Sequence, residues 1–232
     1  MKRIIIIGAS SGIGRGLAEL YAKNGYTVGI TGRRENLLKQ IKNQYPERIY
    51  YSAFDAVPEH SIIKIENLIS EMGGLDILIY SAGWGKTGEE LNYEIEKQTI
   101  DVNVNAFMRI VDWAFNYFRT QGLGHIAAIS SIAGFLPNPG APSYSASKSF
   151  QMKYLKSLRL KVRIGKIKNL TITDIRPGFV DTAMAKSDKL FWVAPVDKAA
   201  KQIFKALNKK RKVVYVTKRW RIIAVIAKIL QF

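Results

Sequence analysis

Short apolar runs alternate along this chain with longer stretches in which apolar residues recur every three or four positions. The apolar runs predict strands at residues 3–7, 26–31, 48–54, 76–80, 124–130, 169–175 and 212–217. The periodic stretches predict helices at about 12–24, 34–45, 59–72, 92–120, 143–165 and 196–208, with a last one from about 219. This alternation predicts an α/β fold, in which helices cover both faces of a doubly wound parallel sheet of about seven strands.

A glycine-rich turn follows the first predicted strand. The run Ile4–Ile7 is apolar throughout, as expected of a central parallel strand, and it leads into the sequence Gly-Ala-Ser-Ser-Gly-Ile-Gly at residues 8–14. Glycines let the backbone approach a phosphate closely, and the amides at the start of a helix supply hydrogen-bond donors and a partial positive charge. The spacing therefore predicts a pyrophosphate-binding loop, with a plain turn as the alternative interpretation.

A second motif pairs a tyrosine with a lysine. Tyr144 and Lys148 are four residues apart in a predicted helix, so their side chains lie on one face. Ser131 lies thirteen residues before Tyr144. An ammonium close to a phenol lowers the pKa of the phenol toward neutrality, and such a phenol can exchange a proton at pH 7. These three residues predict acid–base chemistry on a carbonyl or hydroxyl group.

Together the two motifs resemble the short-chain dehydrogenase/reductase family, and the resemblance covers nearly the whole chain. It implies a Rossmann-type sheet, and hydride transfer between a nicotinamide and a carbonyl or carbinol carbon. It also implies a catalytic tetrad of Asn103, Ser131, Tyr144 and Lys148, with Asn105 as the alternative to Asn103. In this family's mechanism Tyr144 donates the proton in reduction, and Ser131 polarises the substrate oxygen. Lys148 lowers the pKa of Tyr144 and binds the ribose hydroxyls, and Asn103 holds a water that relays protons to Lys148.

The same resemblance implies a set of cofactor contacts. The glycine loop cradles the pyrophosphate, and Asp55 matches an acidic residue that contacts the adenine. Tyr80 and Ser81 replace two asparagines that are usual in the family, which puts only a structural hydrogen bond in doubt. A Pro-Gly turn passes beside the nicotinamide. The implied cofactor-binding residues are Gly8, Ser10, Ser11, Gly12, Ile13, Gly14, Arg33, Arg34, Asp55, Ala82, Gly83, Tyr144, Lys148, Pro177, Gly178, Val180 and Thr182.

The end of the second predicted strand favours NADP(H). Thr31 and Gly32 are followed there by Arg33 and Arg34, with no carboxylate to hold the ribose 2′-hydroxyl of NAD. A guanidinium can instead pair with the 2′-phosphate of NADP(H). The alternative interpretation is that the two arginines only cap the start of a solvated helix, where they would oppose the helix dipole.

The segment 183–194 follows the Pro-Gly turn, where family members place a substrate lid. It contains Leu190, Phe191 and Trp192. These side chains predict an apolar substrate, and ordinary core packing of a short helix is the alternative interpretation.

Composition narrows the chemistry further. The chain of 232 residues has no cysteine and only two histidines, His60 and His125, which we expect to be surface or turn residues. No metal site is therefore predicted. The longest apolar run is too short for a spanning helix, and the apolar run near the N-terminus is too short for a signal peptide. No linker interrupts the chain, so residues 1–217 are expected to form the catalytic domain and residues 218–232 a basic amphipathic helix.

Charge is unevenly distributed. Residues 1–144 carry 14 basic and 14 acidic side chains, whereas residues 145–232 carry 22 basic and 4 acidic ones, which gives the net charge of +18. Such an excess suggests a polyanionic partner, either a membrane surface or a nucleic acid. The apolar residues of the last helix favour an anionic membrane surface, and no specific nucleic acid is predicted. Packing of this helix on the sheet, or within a homodimer, is the alternative.

Two classes of function remain open. The favoured one is an NADP(H)-dependent oxidoreductase that acts on a carbonyl or alcohol substrate, including a lipidic or lipid-linked one. The second is a non-catalytic dinucleotide-binding sensor, and an epimerase or isomerase of the same family is a lesser alternative. The expected location is cytoplasmic, with attachment to the inner face of a membrane as a further alternative.

Overall fold

A computed structural model describes residues 2–183 and 191–229. These residues form one parallel sheet with the strand order β3-β2-β1-β4-β5-β6-β7. The strands are β1 (Arg3–Ile7), β2 (Thr27–Gly32), β3 (Ile49–Ala53), β4 (Ile77–Tyr80), β5 (Gly124–Ile129), β6 (Leu170–Pro177) and β7 (Val213–Val216). The order of strands reverses between β1 and β4, and in such sheets ligands bind beyond the carboxyl ends of the strands at that point.

Helices cover both faces of the sheet. They are α1 (Gly12–Lys23), α2 (Glu35–Gln44), α3 (Ser61–Met72), α4 (Tyr93–Ile100), α5 (Phe107–Gln121), α6 (Pro142–Ile164), α7 (Val196–Asn208) and α8 (Trp220–Ile229). Side chains of α1, α2 and α7 bury one face, together with Ile4 and Ile6 of β1. Side chains of α3, α5 and α6 bury the other, together with Ile5 and Ile7. The alternation along β1 follows from the two-residue period of a strand. The predicted doubly wound fold is confirmed.

The predicted helix at 92–120 is not one regular helix. A π-helical segment, Asp101–Ala106, separates α4 from α5. Its wider turn gives Val102 and Asn103 backbone carbonyls that accept hydrogen bonds from outside the helix, from Tyr80 at 2.6 Å and from Gln151 at 2.8 Å. Both donors are distant in sequence, so the periodicity of the segment could not indicate them. Single π-helical turns inside α-helices are frequent at functional sites.

The last helix packs on the catalytic fold at its start. Trp220, Ala224 and Ala227 are buried, and the Trp220 ring lies 5.3 Å from that of Phe179. Ile222, Val225 and Ile226 are exposed on the opposite side. Within the described residues, no helix combines the length and the apolar character that crossing a membrane requires.

His125 differs from the sequence expectation. It is 6% exposed in the central strand β5, and its Nε2 lies 2.8 Å from the Thr173 hydroxyl. Thr173 donates its own proton to the carbonyl of Arg211, so His125 donates to Thr173. A polar imidazole predicts a surface position, but its hydrogen bond to Thr173 on the neighbouring strand makes burial of the ring possible. His60 is exposed at the start of α3, as expected.

Candidate active site

The glycine loop connects β1 to α1 at the switch in strand order. Gly8 has a φ of +85°, a conformation that favours glycine, and a Cβ there would lie 2.6 Å from the backbone of Ala82. A Cβ at Gly12 would lie 3.1 Å from the Thr182 side chain. Ile13 packs against the core below. The loop therefore lies against the segments that follow β4 and β6, and it presents the first amides of α1.

The residues that follow β4 adjoin this loop. The Ser81 amide donates to the carbonyl of Ile7, and the Ser81 hydroxyl lies 2.9 Å from the position of a Cβ at Gly14. Ala82 and Gly83 come next and lead to Trp84, which contacts Asn103. Ser81 thus pairs with the end of β1 and lies beside the first turn of α1.

The two arginines after β2 have different surroundings. Arg34 donates to the hydroxyls of Ser10 at 2.8 Å and Ser11 at 2.7 Å, so it braces the glycine loop. The Arg33 side chain is 57% exposed, and its nearest carboxylate is that of Asp55 at 3.8 Å. Asp55 also accepts a hydrogen bond from the amide of Val57. One guanidinium is therefore structural, and the other remains accessible beside Asp55.

The Pro-Gly turn extends from the end of β6. Pro177 is the last residue of that strand, and a Cβ at Gly178 would lie 2.0 Å from Nε1 of Trp220. Val180 is buried and pairs with Ala194. Thr182 is half-buried beside Gly12. The expected nicotinamide turn is thus held between the glycine loop and the start of α8.

The tyrosine, lysine and serine converge as expected. Tyr144 and Lys148 lie on α6, and the Lys148 Nζ is 5.6 Å from the centre of the Tyr144 ring. Ser131 begins a short 3₁₀ helix, Ile132–Phe135, that packs against α6, and a hydrogen bond with Ser131 acts on the Tyr144 phenol. Lys148 is 3% exposed and donates to the carbonyl of Ile129 at 3.1 Å.

The pKa of Tyr144 moves in the direction opposite to the sequence expectation. Burial raises the pKa of the phenol, and the hydrogen bond with Ser131 opposes this rise. Burial also lowers the pKa of Lys148 to about 8, against the effect of the nearby Asp174 carboxylate. Desolvation of the phenolate outweighs the hydrogen bond with Ser131, so the Tyr144 phenol keeps its proton at neutral pH.

Asn103 is fully buried in the π-helical segment, and each of its side-chain and carbonyl groups has a protein partner. Its amide oxygen accepts from the Trp84 backbone at 2.9 Å, and its amide nitrogen donates to the Trp84 carbonyl and the Ser147 hydroxyl. Its own carbonyl accepts from Gln151. A glutamine side chain connects the Asn103 carbonyl to Lys148, and the water relay expected at Asn103 stays a prediction.

Sequence reasoning missed Gln151. Its Oε1 accepts from Lys148 at 3.1 Å, and its Nε2 donates to the Asn103 carbonyl at 2.8 Å. The available signal was its position three residues after Lys148, which places both side chains on one face of α6.

Most of the segment 183–194, the expected lid, lies outside the described residues, including Leu190. At its end, Phe191 and Trp192 are about half exposed, and their rings lie 5.3 and 5.6 Å from that of Trp220. Arg219 lies over the Trp192 ring at 4.9 Å. These aromatic residues therefore line the edge of the site beside the Pro-Gly turn.

Comparison with known proteins identifies the chain's relatives. The sequence profile of the family described as short chain dehydrogenase matches residues 2–190. A 3-oxoacyl-[acyl-carrier-protein] reductase from Rickettsia prowazekii is 33% identical over 193 residues, which cover 82% of this chain and 76% of the relative.

Two solved structures show the same fold. A short-chain dehydrogenase from Sphingobium yanoikuyae, in complex with NADPH, has a TM-score of 0.83 and 22% identity, covering 100% of this chain and 95% of the other. A family member from Burkholderia phymatum, in complex with NAD, has a TM-score of 0.87 and 19% identity, covering 96% and 91%. The converging tetrad, the glycine loop and the profile match together show that this chain belongs to the short-chain dehydrogenase/reductase family.

Proposed function

We propose that the protein is an NADPH-dependent reductase of carbonyl compounds. The observation that carries this proposal is the convergence of Tyr144, Ser131 and a buried Lys148 at the carboxyl end of the sheet. Oxidoreductase activity is characteristic of the family, and the Rickettsia relative is named a 3-oxoacyl-[acyl-carrier-protein] reductase.

The residues present fit a dinucleotide. The backbone at Gly8 packs closely against that of Ala82, and the loop from Gly8 to Gly14 presents the first amides of α1 to a pyrophosphate. Arg33 supports the choice of NADPH because its side chain is 57% exposed and its ion pair with Asp55 is long, at 3.8 Å, whereas Arg34 is engaged with Ser10 and Ser11. Asp55 limits where the Arg33 guanidinium can lie, and so keeps it beside the end of β2.

Three residues of the chain have separate roles in the proposed reduction. Bound NADPH would supply the hydride. Tyr144 donates its phenolic proton to the substrate oxygen, which its raised pKa permits across the neutral range. Ser131 orients that oxygen by a hydrogen bond. Lys148 is charged below pH 8, and its ammonium holds the ribose hydroxyls and stabilises the negative charge that develops on Tyr144.

The test is consumption of NADPH by the full chain with a series of ketones of increasing chain length. Turnover that improves with chain length supports both the reductase and an apolar substrate. Tight NADPH binding without turnover on any ketone would support the non-catalytic sensor instead. Interconversion of a hydroxyl epimer without net NADPH consumption would support the epimerase.

We further propose that the enzyme docks on anionic membrane through an apolar patch, defined as Ile222, Val225 and Ile226 of α8 with Phe191, Trp192 and Val193. All six side chains are at least 39% exposed, and ring contacts join Phe191 and Trp192 to Trp220 at the start of α8. Exposed apolar residues in a cluster of this kind mark interaction surfaces.

The basic residues around the apolar patch favour an anionic membrane as its partner. Residues 198–232 carry eleven lysines and arginines and no acidic residue. Lys218, Arg219 and Arg221 are exposed next to the patch. Each basic residue near an anionic surface contributes about 1 kcal/mol, so a few of them together with the apolar patch give measurable binding that salt weakens. The patch also lies at the edge of the active site, which suits a lipidic substrate and a position on the inner face of a membrane.

Vesicle co-sedimentation tests the docking. Full-length protein is mixed with phosphatidylcholine vesicles with and without phosphatidylglycerol, at low and high salt. We expect binding only to the anionic vesicles at low salt, and its loss in Ile226→Asp. The matched control is Ile63→Asp on α3, where Ile63 is 58% exposed on another part of the surface. Equal binding by the two variants, or no binding of the wild type to anionic vesicles at low salt, would overturn the docking. Dimers that Ile226→Asp dissociates in light scattering would assign the patch to a protein contact.

A further inference from the structure

Gln151 bridges two parts of the active site. It lies on α6, one turn after Lys148, and its side chain is 0% exposed. It accepts from the Lys148 ammonium at 3.1 Å and donates to the backbone carbonyl of Asn103 at 2.8 Å. A single amide group thus connects the lysine of α6 to the π-helical segment.

The orientation of this amide is determined by its neighbours. A protonated lysine can only donate hydrogen bonds, and a backbone carbonyl can only accept them. The oxygen of Gln151 must therefore face Lys148, and its nitrogen must face Asn103. The reversed amide would place two donors opposite each other and two acceptors opposite each other, both of them buried.

The bridge fixes where the Lys148 ammonium points. Two of its three N–H groups are used, one on the Ile129 carbonyl and one on Gln151. The third is left for the cofactor side of the site, where Tyr144 lies. An acceptor that faces a buried ammonium also favours its charged form.

We propose that Gln151 is a positioning residue of the reductase, which orients the Lys148 ammonium and keeps it charged. This inference rests on the proposed function for its kinetic effects, but not for its effect on the charge of Lys148. The other charged and titratable groups around Lys148 are Asp174 of β6, which is paired with Arg176 at 2.6 Å, and Tyr144 of α6.

The test compares two variants over pH 7 to 10. Gln151→Met keeps the volume but removes the acceptor, whereas Gln151→Glu places a carboxylate beside the ammonium. The readouts are the Kd of NADPH by fluorescence, which needs no turnover, and kcat/KM for reduction. In the wild type both are expected to deteriorate above about pH 8. A hydrogen bond to a charged group is worth about one to two pH units of ionisation, so we expect the Met variant to shift this limb down by about one unit and the Glu variant to shift it up.

Opposite shifts are the outcome that a merely structural role cannot give. Gln40→Met on exposed α2 is the control for the substitution itself. If both variants keep the wild-type limb, or both move it in the same direction, the proposal is overturned. If the Met variant does not fold, the Glu variant decides alone, with an upward shift as the required result. Loss of turnover in every protein, with the Kd limb still shifting, would contradict the reductase and leave Gln151's role intact.

Discussion

The hydroxyl of Tyr80 donates a 2.6 Å hydrogen bond to the backbone carbonyl of Val102. It joins the end of β4 to the π-helical segment, in which the next residue is Asn103. Tyr80 is fully buried, and it stands where the family usually has an asparagine. In this chain the long side chain of Tyr80 therefore links the strand to the π-helical segment.

Changing Tyr80→Phe tests this link. The Val102 carbonyl would lose its side-chain donor in a buried site, so we expect a loss of about 1–3 kcal/mol in the free energy of unfolding. Turnover should fall more than NADPH affinity, because the π-helical segment positions Asn103. Denaturant unfolding and steady-state kinetics measure the two effects, with Tyr93→Phe, a substitution of a 75% exposed tyrosine, as the control. An unchanged stability would mean that the carbonyl finds another donor.

Tyr144→Phe should remove most turnover and leave NADPH binding nearly intact. Only the phenolic proton donor is deleted, and positioned acid catalysis contributes about 10²- to 10⁴-fold. The measurements are kcat on the best ketone and the Kd of NADPH by fluorescence titration, again with Tyr93→Phe as the matched control. Retention of more than about a tenth of the wild-type kcat would assign the proton donor to another group.

Arg33→Ala should reduce the preference for NADPH over NADH. A hydrogen bond to a charged group is worth about 1.5–3 kcal/mol, which corresponds to about 10- to 150-fold in discrimination. The affinity for NADH should stay nearly constant, since the 2′-phosphate is absent from it. Fluorescence titration of both cofactors measures the effect, and Arg119→Ala at an exposed position of α5 is the control. Equal affinities for the two cofactors in the wild type would show that Arg33 is a solvated residue before α2 with no role in cofactor choice.

His125 should make the fold sensitive to mild acid. Burial lowers the pKa of its ring to about 4 in the folded protein, from an ordinary value of about 6.5. The unfolded chain therefore takes up a proton first, and stability falls as the pH drops from about 6.5 toward 4, by about 3 kcal/mol in total. Denaturant unfolding at a series of pH values measures this loss, and His125→Gln should flatten the curve. An equally steep curve in that variant would assign the acid sensitivity to carboxylates.

Much of the fold could be predicted from the sequence, because buried parallel strands are apolar throughout and surface helices are periodic. The run Ile4–Ile7 and the glycines after it show both features, and the structure places them at the switch in strand order. The convergence of Tyr144, Lys148 and Ser131 followed from helical spacing and from the family resemblance. Their catalytic roles remain predictions.

The features of the fold and the site that the sequence did not predict depend on contacts between residues distant in sequence. The π-helical segment is supported by Tyr80 and Gln151, which are 22 and 48 residues away from their acceptors. Neither the burial of His125 nor the raised pKa of Tyr144 has a local signal, because each depends on how much solvent the folded chain excludes. The C-terminal helix was expected to be amphipathic. Its inner side is fixed by Trp220, whose partners Phe179 and Gly178 lie some forty residues earlier.

The contact between Trp220 and Gly178 gives the protein an internal optical probe. The indole is 2% exposed and lies against the turn that the family places beside the nicotinamide. Bound NADPH should therefore accept excitation energy from this tryptophan, so its emission would fall as the cofactor site fills. Deleting the chain after Thr217 would remove this signal together with part of the core. Single substitutions at exposed positions of α8 are therefore the better way to test membrane binding.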